Sequence, residues 1–448
     1  MVLWAAKESN KYRGYHRASV DKNKLKKIKV LRIIARLNIG GPAIHTVLLT
    51  AGLDTGRFES VLVCGAVSPG EGDMAYYARE RGVRPVYIPE LRRELNLLND
   101  LIAFVKICRI IRVEKPDIIH THTAKAGALG RVAGILYNYG KRLLRPFGAR
   151  NDIEIIHTFH GHIFEGYFGS LSTRVFIIIE KLLACFTDKI ITVSEEVRKE
   201  LISLGICRAD NIAVVPLGFE LEKFLTIPEC GQGEDCFVAN APRNDKWGVD
   251  SQFRIGIVGR LVPVKNHRMF LEAIRDCFPR LRRGRNDISL KFKIIGDGEL
   301  RDELERYAGK LSLGGDVEFV GWQKDLVKVY SELDIVCLTS LNEGTPVSLI
   351  EAMACARVVV ATEVGGVPDL LGQVVEERDG FSIRERGISA LSKDAQGFAR
   401  ALAFILDNPG AGKSLAQAAR EYVKTVFSKE RLVRDMENMY CNLVLTKV

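Results

Sequence analysis

The feature that most narrows the fold is an alternation that runs, stops and starts again. Short apolar, β-branched runs come first: "IKVLRIIA" (28–35), "ESVLVCG" (59–65), "RPVYIP" (84–89), "PDIIHTH" (116–122), "IEIIHTFH" (153–160), "DKIITVS" (188–194) and "IAVVPLG" (212–218). Between them lie stretches with i, i+3, i+4 apolar spacing, such as "LNLLNDLIAFVKICRIIRVE". Strands alternating with amphipathic helices build a doubly wound parallel sheet. The pattern lapses over 226–252, "TIPECGQGEDCFVANAPRNDKWGVDSQ", which is polar and aperiodic and reads as linker plus domain start. It resumes with "FRIGIVG" (253–259), "LKFKIIG" (290–296), "VEFVG" (317–321), "DIVCLTS" (334–340) and "RVVVAT" (357–362). The expectation is an α/β chain of two Rossmann-like domains facing a central cleft, with the active site between the carboxyl ends of the two sheets. A length of 448 residues suits two domains. The expected division is a basic extension (1–27), a first domain (28–222), a linker (223–250), a second domain (251–425) and a terminal helix (426–448) that can return to the first domain.

Charge separates the extension from the rest. Residues 1–29 carry nine Lys/Arg against Glu8 and Asp21, a net +7 out of +10 for the whole chain. The remainder is close to neutral, which argues against a global nucleic-acid footprint. Basic clusters at "KRLLRPFGAR" (141–150) and "RLRRGR" (280–285) read as solvated surface. Ten cysteines form no C-x-x-C, so the reduced thiols of a cytoplasmic protein are expected. "MVLWAAKESN" lacks the apolar core of a signal peptide. "VFIIIEKLLACF" (175–186), interrupted by Glu180 and Lys181, falls short of the ~20 apolar residues of a membrane span. Two readings of the tail, the 141–150 segment and the 175–186 helix stay open. Either they hold the chain peripherally against an anionic membrane at the inner face of the cell, or they are a loose tail and a buried core helix.

The richest chemistry lies in "TSLNEGTPVSLIEAMACA" (339–356), which follows a strand. Thr345 suits an N-cap and Pro346 the first helical position, so a helix should start there. Its free N–H groups would point into the cleft, ready for a phosphate. Glu343 precedes this helix and Glu351 lies roughly 7–8 Å along it from Pro346. Two carboxylates so placed can hold hydroxyls on both sides of a diphosphate, a sugar at one end and a ribose at the other. Upstream, "GIVGRLVPVKN" (256–266) places Arg260 and Lys265 in one loop, where two cations can neutralise a leaving diphosphate. No D-x-D metal pair is evident; "GDGE" (296–299) comes nearest and reads as a tight turn.

"EGTPVSLIEA" looks like the E-x7-E signature of retaining nucleotide-sugar glycosyltransferases. Together with "GRLVPVKN", "IIGDGEL", "VEFVGW" and "EVGGVPDLL" it resembles glycosyltransferase family 4, of the GT-B fold, from about residue 28 to the C-terminal region. The resemblance implies that the second domain binds the nucleotide sugar and the first the acceptor. It assigns the ribose to Glu351, the donor sugar to Glu343, and the diphosphate to Arg260 and Lys265. Gly344, Thr345, Pro346 and Val347 would form the helix start at the donor. The turn at Gly296 and Gly298, with the stretch after Gly321, would line the base. It further implies retention of anomeric configuration, by front-face displacement with the leaving phosphate as base. A UDP-sugar is the default donor, with no metal and no other cofactor, and acceptors range from glycans and lipid-linked sugars to small metabolites. One departure stands out: where the family commonly reads E-A-M-A-x-G-x-P, this chain has Ala356 and Val358. Those positions shape the next turn, so altered packing is expected there and not lost activity.

In the first half, "RLNIGGPAIHT" (36–46) follows the first strand, and Gly40 and Gly41 allow backbone to approach a phosphate closely. Their match to the family's first loop supports a donor-side role. Five of eight histidines fall between 120 and 162, at 120, 122, 157, 160 and 162. They would suffice for zinc. Strand alternation, however, turns His157 and His160 to opposite faces, and only Glu165 is nearby as a carboxylate, so no metal site is expected. "TFH" at a strand end resembles a family 4 element whose histidine faces the donor sugar across the cleft. His160 is therefore the expected catalytic histidine, beside Glu343, able to hydrogen-bond a sugar hydroxyl. Three other classes compete with this reading. A glycoside hydrolase needs an acid–base pair flanking the bond, whereas Glu343 and Glu351 share one loop–helix element. A GT-B nucleotide-sugar epimerase would share the cleft and is the main alternative. A sugar-binding regulator is disfavoured because the donor-site residues look complete.

Overall fold

The structure, a computed structural model, describes residues 26–38, 40–67, 72–92, 94–143, 152–161, 170–227, 251–284 and 288–445. Most of the basic extension, most of the 141–150 cluster, His162 and Glu165 lie outside the described residues.

The first half begins β1 (Ile28–Arg36), α1 (Gly41–Gly52), β2 (Phe58–Gly65), α2 (Ala75–Glu80) and β3 (Val86–Ile88). It continues with α3 (Leu97–Glu114), β4 (Ile118–His122), α4 (Ala124–Leu143), β5 (Glu154–Phe159) and α5 (Ser170–Ala184). It closes with β6 (Lys189–Thr192), α6 (Glu195–Ser203), β7 (Ile212–Val214) and α7 (Glu222–Leu225). These strands form one parallel sheet in the order β3-β2-β1-β4-β5-β6-β7. The reversal of direction at β1 and β4 is the switch point at which a doubly wound sheet opens a crevice.

The second half opens with β8 (Ser251–Val258), α8 (His267–Gly284), β9 (Ile288–Ile295), α9 (Arg301–Lys310) and β10 (Val317–Gly321). It then runs through α10 (Leu326–Ser331), β11 (Ile335–Leu338), α11 (Val347–Ala354), β12 (Val358–Thr362) and α12 (Val367–Leu371). It ends with β13 (Val374–Arg378), β14 (Phe381–Arg384), β15 (Gly387–Ala390), α13 (Ala395–Asp407), α14 (Pro409–Val426) and α15 (Lys429–Leu445). Its sheet has the order β10-β9-β8-β11-β12-β15-β14-β13, parallel through β15 and antiparallel beyond. Two Rossmann-like sheets of this kind, each wrapped by helices, make the expected two-domain α/β architecture.

The last helix belongs to the first sheet. Leu432, Met436 and Tyr440 of α15 pack on Val30, Ile118, Ile156 and Ile191. The buried Tyr440 hydroxyl lies 2.6 Å from Nδ1 of His120 and accepts from Arg32 at 3.3 Å. Return and departure strands of chain are tied where they pass: Phe219 N donates to Phe427 O (2.9 Å) and Lys429 N to Phe219 O (3.1 Å). Part of the expected linker is also structured. Phe224 of α7 packs edge-on against Tyr330 of the second half, with ring centroids 5.9 Å apart.

On the opposite face of the first sheet, α3 and α4 share a core with β1 and β4, and α4 is locked to α5 by Arg131, which donates to both oxygens of the buried Glu180. The core-helix reading of the 175–186 segment holds for one side only: Ala184, with Phe176 and Ile177, packs in a core with Phe159 and Ile190, while Val175, Ile178, Ile179 and Leu182 of α5 are exposed. No helix among the described residues is long and apolar enough to cross a membrane.

Ala356, where the family pattern has glycine, joins α11 to β12 with φ 53°, in the left-handed region. A Cβ there costs about 1–2 kcal/mol, offset in part by the smaller chain entropy of alanine. Ala356→Gly should therefore stabilise the second half by about 0.5–1 kcal/mol and raise its Tm by roughly 1–3 °C without altering activity. Calorimetry checks this, and a lower Tm would show that the lost methyl packing outweighs the strain.

Candidate active site

In the second half, the site is assembled from loops at the carboxyl ends of β8, β9 and β11. Gly296 has φ 134° and packs so closely that a Cβ would run into the Gly259 carbonyl, and Gly296 N donates to Gly321 O at 3.0 Å. The turn continues through Gly298 (φ 159°), whose N–H is accepted by Asp297 Oδ1 at 2.8 Å. Gly296, Gly298, Gly321 and the Arg260 loop thus form one surface, with Arg260 exposed on it. Lys265, at the end of a short 3-10 turn, donates to Glu343 Oε1 at 2.5 Å, and Ser340 Oγ donates to the same oxygen at 2.6 Å. Lysine carries three N–H donors, so this ion pair leaves donors on Nζ for a phosphate, and the second oxygen of Glu343 for a hydroxyl.

The helix after Glu343 starts later than expected. Pro346 is itself the cap, with φ −76° and ψ 98°, and α11 begins at Val347. Because the chain is still extended at Pro346, the Thr345 hydroxyl does not reach the helix N–H groups; it is buried without a protein partner. Glu351, one turn into the helix, accepts from the Tyr330 hydroxyl at 2.9 Å. Burial pushes its carboxyl up to about 7, although the Tyr330 hydrogen bond and nearby Lys223 act in the other direction.

In the first half, Gly40 caps α1 with φ 155° and Gly41 opens the helix. One turn on, His45 packs edge-on against His160, with centroids 5.1 Å apart, and against His122 at 5.7 Å. His160 follows the last residue of β5, and its Nε2 shares a hydrogen bond of 2.9 Å with Nδ1 of His122. Its Nδ1 is buried without a protein partner. Burial pulls the His160 imidazole down to about 3, and the rings of His45, His120 and His122 are also held well below the usual histidine range, chiefly by burial. The site histidines are therefore neutral at any physiological pH. His157 points the other way, into α4, where its Nδ1 lies 2.8 Å from Thr121 Oγ1 and its ring fills the space beside Gly127.

The two halves meet at glycines. A Cβ on Gly344 would lie 2.7 Å from the His160 carbonyl oxygen, and one on Gly161 would lie 3.3 Å from Gly344 Cα. Gly41 stands opposite Val347 at the start of α11. His160 and Glu343 are thus brought to the same seam from opposite domains. Beside this seam, a cavity of about 490 Å³ opens between Ser194 and Glu196 of one half and Thr345, Gly366 and Asp369 of the other. His160, Lys265, Glu343 and Glu351 do not line it, so it adjoins the donor-side residues without containing them.

His45, His122 and His160 each bring a ring nitrogen within 4.8 Å of the others, a set that could supply three ligands to a metal ion. It is not the set that the sequence suggested, since His157 faces away and His45 comes from α1. Two of its nitrogens are already hydrogen-bonded to each other, and among the described residues no carboxylate or thiol completes the group. His45, Ser340 and Tyr330 escape sequence reasoning. His45 alone left a usable trace, one helical turn after Gly41.

Comparison with known proteins identifies the family and the fold. The model described as "Glycosyltransferase Family 4" matches residues 39–223, and that described as "Glycosyl transferases group 1" matches residues 252–408. An Escherichia coli UDP-Gal:alpha-D-GlcNAc-diphosphoundecaprenol alpha-1,3-galactosyltransferase is 26% identical over 87% of this chain and 91% of its own. The Staphylococcus aureus capsular polysaccharide biosynthesis glycosyltransferase CapM is 24% identical over 79% of this chain and 84% of its own. Among solved structures, Anabaena HepE in complex with UDP superposes with a TM-score of 0.69 at 18% identity, covering 94% of this chain and all of that one. With both halves matched in order, the fold shared and the paired carboxylates of the second half set opposite the histidine of the first, the chain belongs to glycosyltransferase family 4 and has the GT-B fold.

Proposed function

We propose that this glycosyltransferase moves a sugar from a UDP-sugar to a lipid-linked glycan acceptor, with retention of configuration and without a metal ion. The observation that carries the reading is the seam itself. On the donor side a cationic loop and a helix start lie beside Glu343, and the backbone of His160 meets Gly344 from the acceptor side. UDP in the HepE complex and the diphosphoundecaprenol acceptor of the Escherichia coli relative support the donor nucleotide and the acceptor class.

In this reading Arg260 and the free donors of Lys265 neutralise the diphosphate as the sugar leaves. Glu343, held by Lys265 and Ser340, takes a sugar hydroxyl, and Glu351 takes the ribose. His160 contributes no charge. Its Nε2 is engaged by His122, which leaves Nδ1 to hydrogen-bond the sugar as it flattens toward an oxocarbenium-like state. As the family resemblance implies, the departing phosphate is the group that accepts the acceptor's proton. A donor screen decides the nucleotide: thermal shift with UDP-, GDP- and ADP-sugars, then mass spectrometry of the product on a lipid-linked acceptor. Preference for a GDP- or ADP-sugar, or conversion of the donor without an acceptor, would overturn the reading.

His160→Ala should lower kcat by about 100-fold, on the scale of one lost transition-state hydrogen bond, with UDP affinity nearly unchanged. His157→Ala should instead lower stability by about 2–4 kcal/mol, because its ring fills a closed space between β5 and α4. Kinetics and denaturant unfolding of the two variants separate the roles, and an exchanged pattern would reverse the assignment.

Arg260→Ala or Lys265→Ala should each cost about 2–4 kcal/mol in kcat/KM for the donor. Turnover should survive EDTA. Stoichiometric zinc with chelator-sensitive activity would instead place a metal on His45, His122 and His160.

Glu351 makes donor binding depend on pH. With its carboxyl near 7 in the free enzyme, the ribose hydroxyls must donate to the ionised form, so binding releases a proton and affinity falls with pH. From pH 8 to pH 6 the affinity for a UDP-sugar should drop roughly tenfold, and Glu351→Gln should bind weakly at both. Calorimetry with the diester donor avoids titration of a terminal phosphate. A flat profile in the parent enzyme would place the ribose elsewhere.

A further inference from the structure

The first half carries an apolar surface that its own fold does not cover. Leu98, Leu101 and Val105 lie on one side of α3, all exposed, with Leu98 at 68% and Val105 at 59%. Val132, Leu136 and Tyr139 repeat the arrangement on α4. Val175, Ile178 and Leu182 do so on α5, with Ile178 at 57% and Leu182 at 62% exposed. Each set spans two helical turns at i, i+3 or i+4, i+7, about 10 Å of helix, so each is a stripe and not scattered residues. The three helices lie side by side on one face of the sheet, α3 against α4 and α4 against α5. Three stripes on adjacent helices make an outward apolar face, the kind of surface that marks a contact site.

The charges on that face have one sign. On α3 the stripe continues into the exposed Arg109 and Arg112, and on α5 it is bordered by Arg174 and Lys181. Helix α4 contains no Asp or Glu and ends in Lys141 and Arg142, the latter paired with Asp152 at 2.7 Å. The acids of the other two helices are already taken: Glu180 is buried on Arg131, Asp100 accepts from Lys125 at 2.6 Å, and Glu114 pairs with Lys29 at 2.6 Å. A second copy of this chain would oppose cation to cation across the contact. An anionic bilayer offers what the face lacks: a hydrocarbon boundary for the stripes and negative headgroups for the arginines and lysines.

We propose that the outer face of α3, α4 and α5 is the surface by which this enzyme lies on an anionic lipid bilayer. The face adjoins the seam, because α4 starts at Ala124, two residues after His122, at the sheet edge that forms the cleft. A membrane seated there brings the polar end of a lipid-anchored acceptor to the mouth of the site. The inference rests on the reading of a lipid-linked acceptor, and its test uses neither donor nor acceptor, so each can fail without the other.

The full chain is sedimented with vesicles of phosphatidylethanolamine and phosphatidylglycerol, and with vesicles of phosphatidylcholine alone. Binding to the anionic vesicles is expected, with at least about a tenfold loss of apparent affinity when Leu98→Glu, Ile178→Glu and Leu182→Glu are combined. The pair Arg109→Gln and Arg112→Gln should remove much of the preference for anionic over neutral vesicles while leaving the apolar stripes intact. A far-UV circular dichroism spectrum and a cooperative melt that match the parent confirm that each variant is folded. Undiminished vesicle binding in both sets of variants, or no binding of the parent chain at low salt, overturns the proposal. So does light scattering that shows a dimer of the parent chain dissolved by the glutamate substitutions, which would make a second copy the occupant.

Discussion

Half of the first sheet is closed by the helix that the chain makes last. Without α15, the faces of Val30, Ile118, Ile156 and Ile191 would lie open to water, and a boundary that stopped at the linker would leave the first half without part of one of its two layers. The buried contact of Tyr440 with His120 and Arg32 gives that closure a polar lock, which satisfies groups that would otherwise be costly inside a sheet. The chain crosses between halves twice, near Phe219 and near Phe427, and backbone hydrogen bonds tie the crossings to one another. Those ties set how one sheet edge faces the other, and the seam at Gly344 and His160 inherits its geometry from them.

The seam divides the electrostatic work. The second-half side is built of ions: Lys265 with Glu343, and Arg260 exposed beside them. The other side is built of imidazoles packed with centroids 4.2 to 5.7 Å apart. Rings that close and that deeply buried cannot share several positive charges, so the cluster is held neutral as a group. A neutral array can orient hydroxyls without competing with the cationic loop for an anion.

Much of this was legible in the sequence, for identifiable reasons. The strands announce themselves because a parallel strand is buried on both sides and must be apolar along its length, as β1, β4 and β12 are. The separation of His157 from His160 follows from the two-residue period of a strand, and the structure turns them to α4 and to the cleft respectively. What failed was local or long-range in a way that pattern does not encode. Thr345 has the chemistry of a cap, but Pro346 keeps an extended ψ and the helix waits one residue. Tyr330 meets Glu351 from a helix 21 positions away, and nothing in spacing or composition links the two. The 175–186 segment is apolar enough for a core, and only the placement of α4 and α5 shows which of its sides faces out.

Ala356 shows how a family pattern and a single chain can differ without a change of architecture. The turn from α11 to β12 demands a left-handed residue whichever side chain occupies it, because Ala356 N must donate to Met353 O while the chain reverses into a strand buried at every position. Glycine meets that demand freely, and alanine meets it only because its neighbours over-determine the backbone. Leu349, Ile350, Met353 and Val359 pack in one core around this turn, so they hold α11 in place even where the linking residue is strained. The carboxylate of Glu351 rides on that same helix. Its position in the cleft is therefore fixed by the core beneath it and not by the turn that follows, which is why the substitution is expected to move stability and leave the chemistry alone.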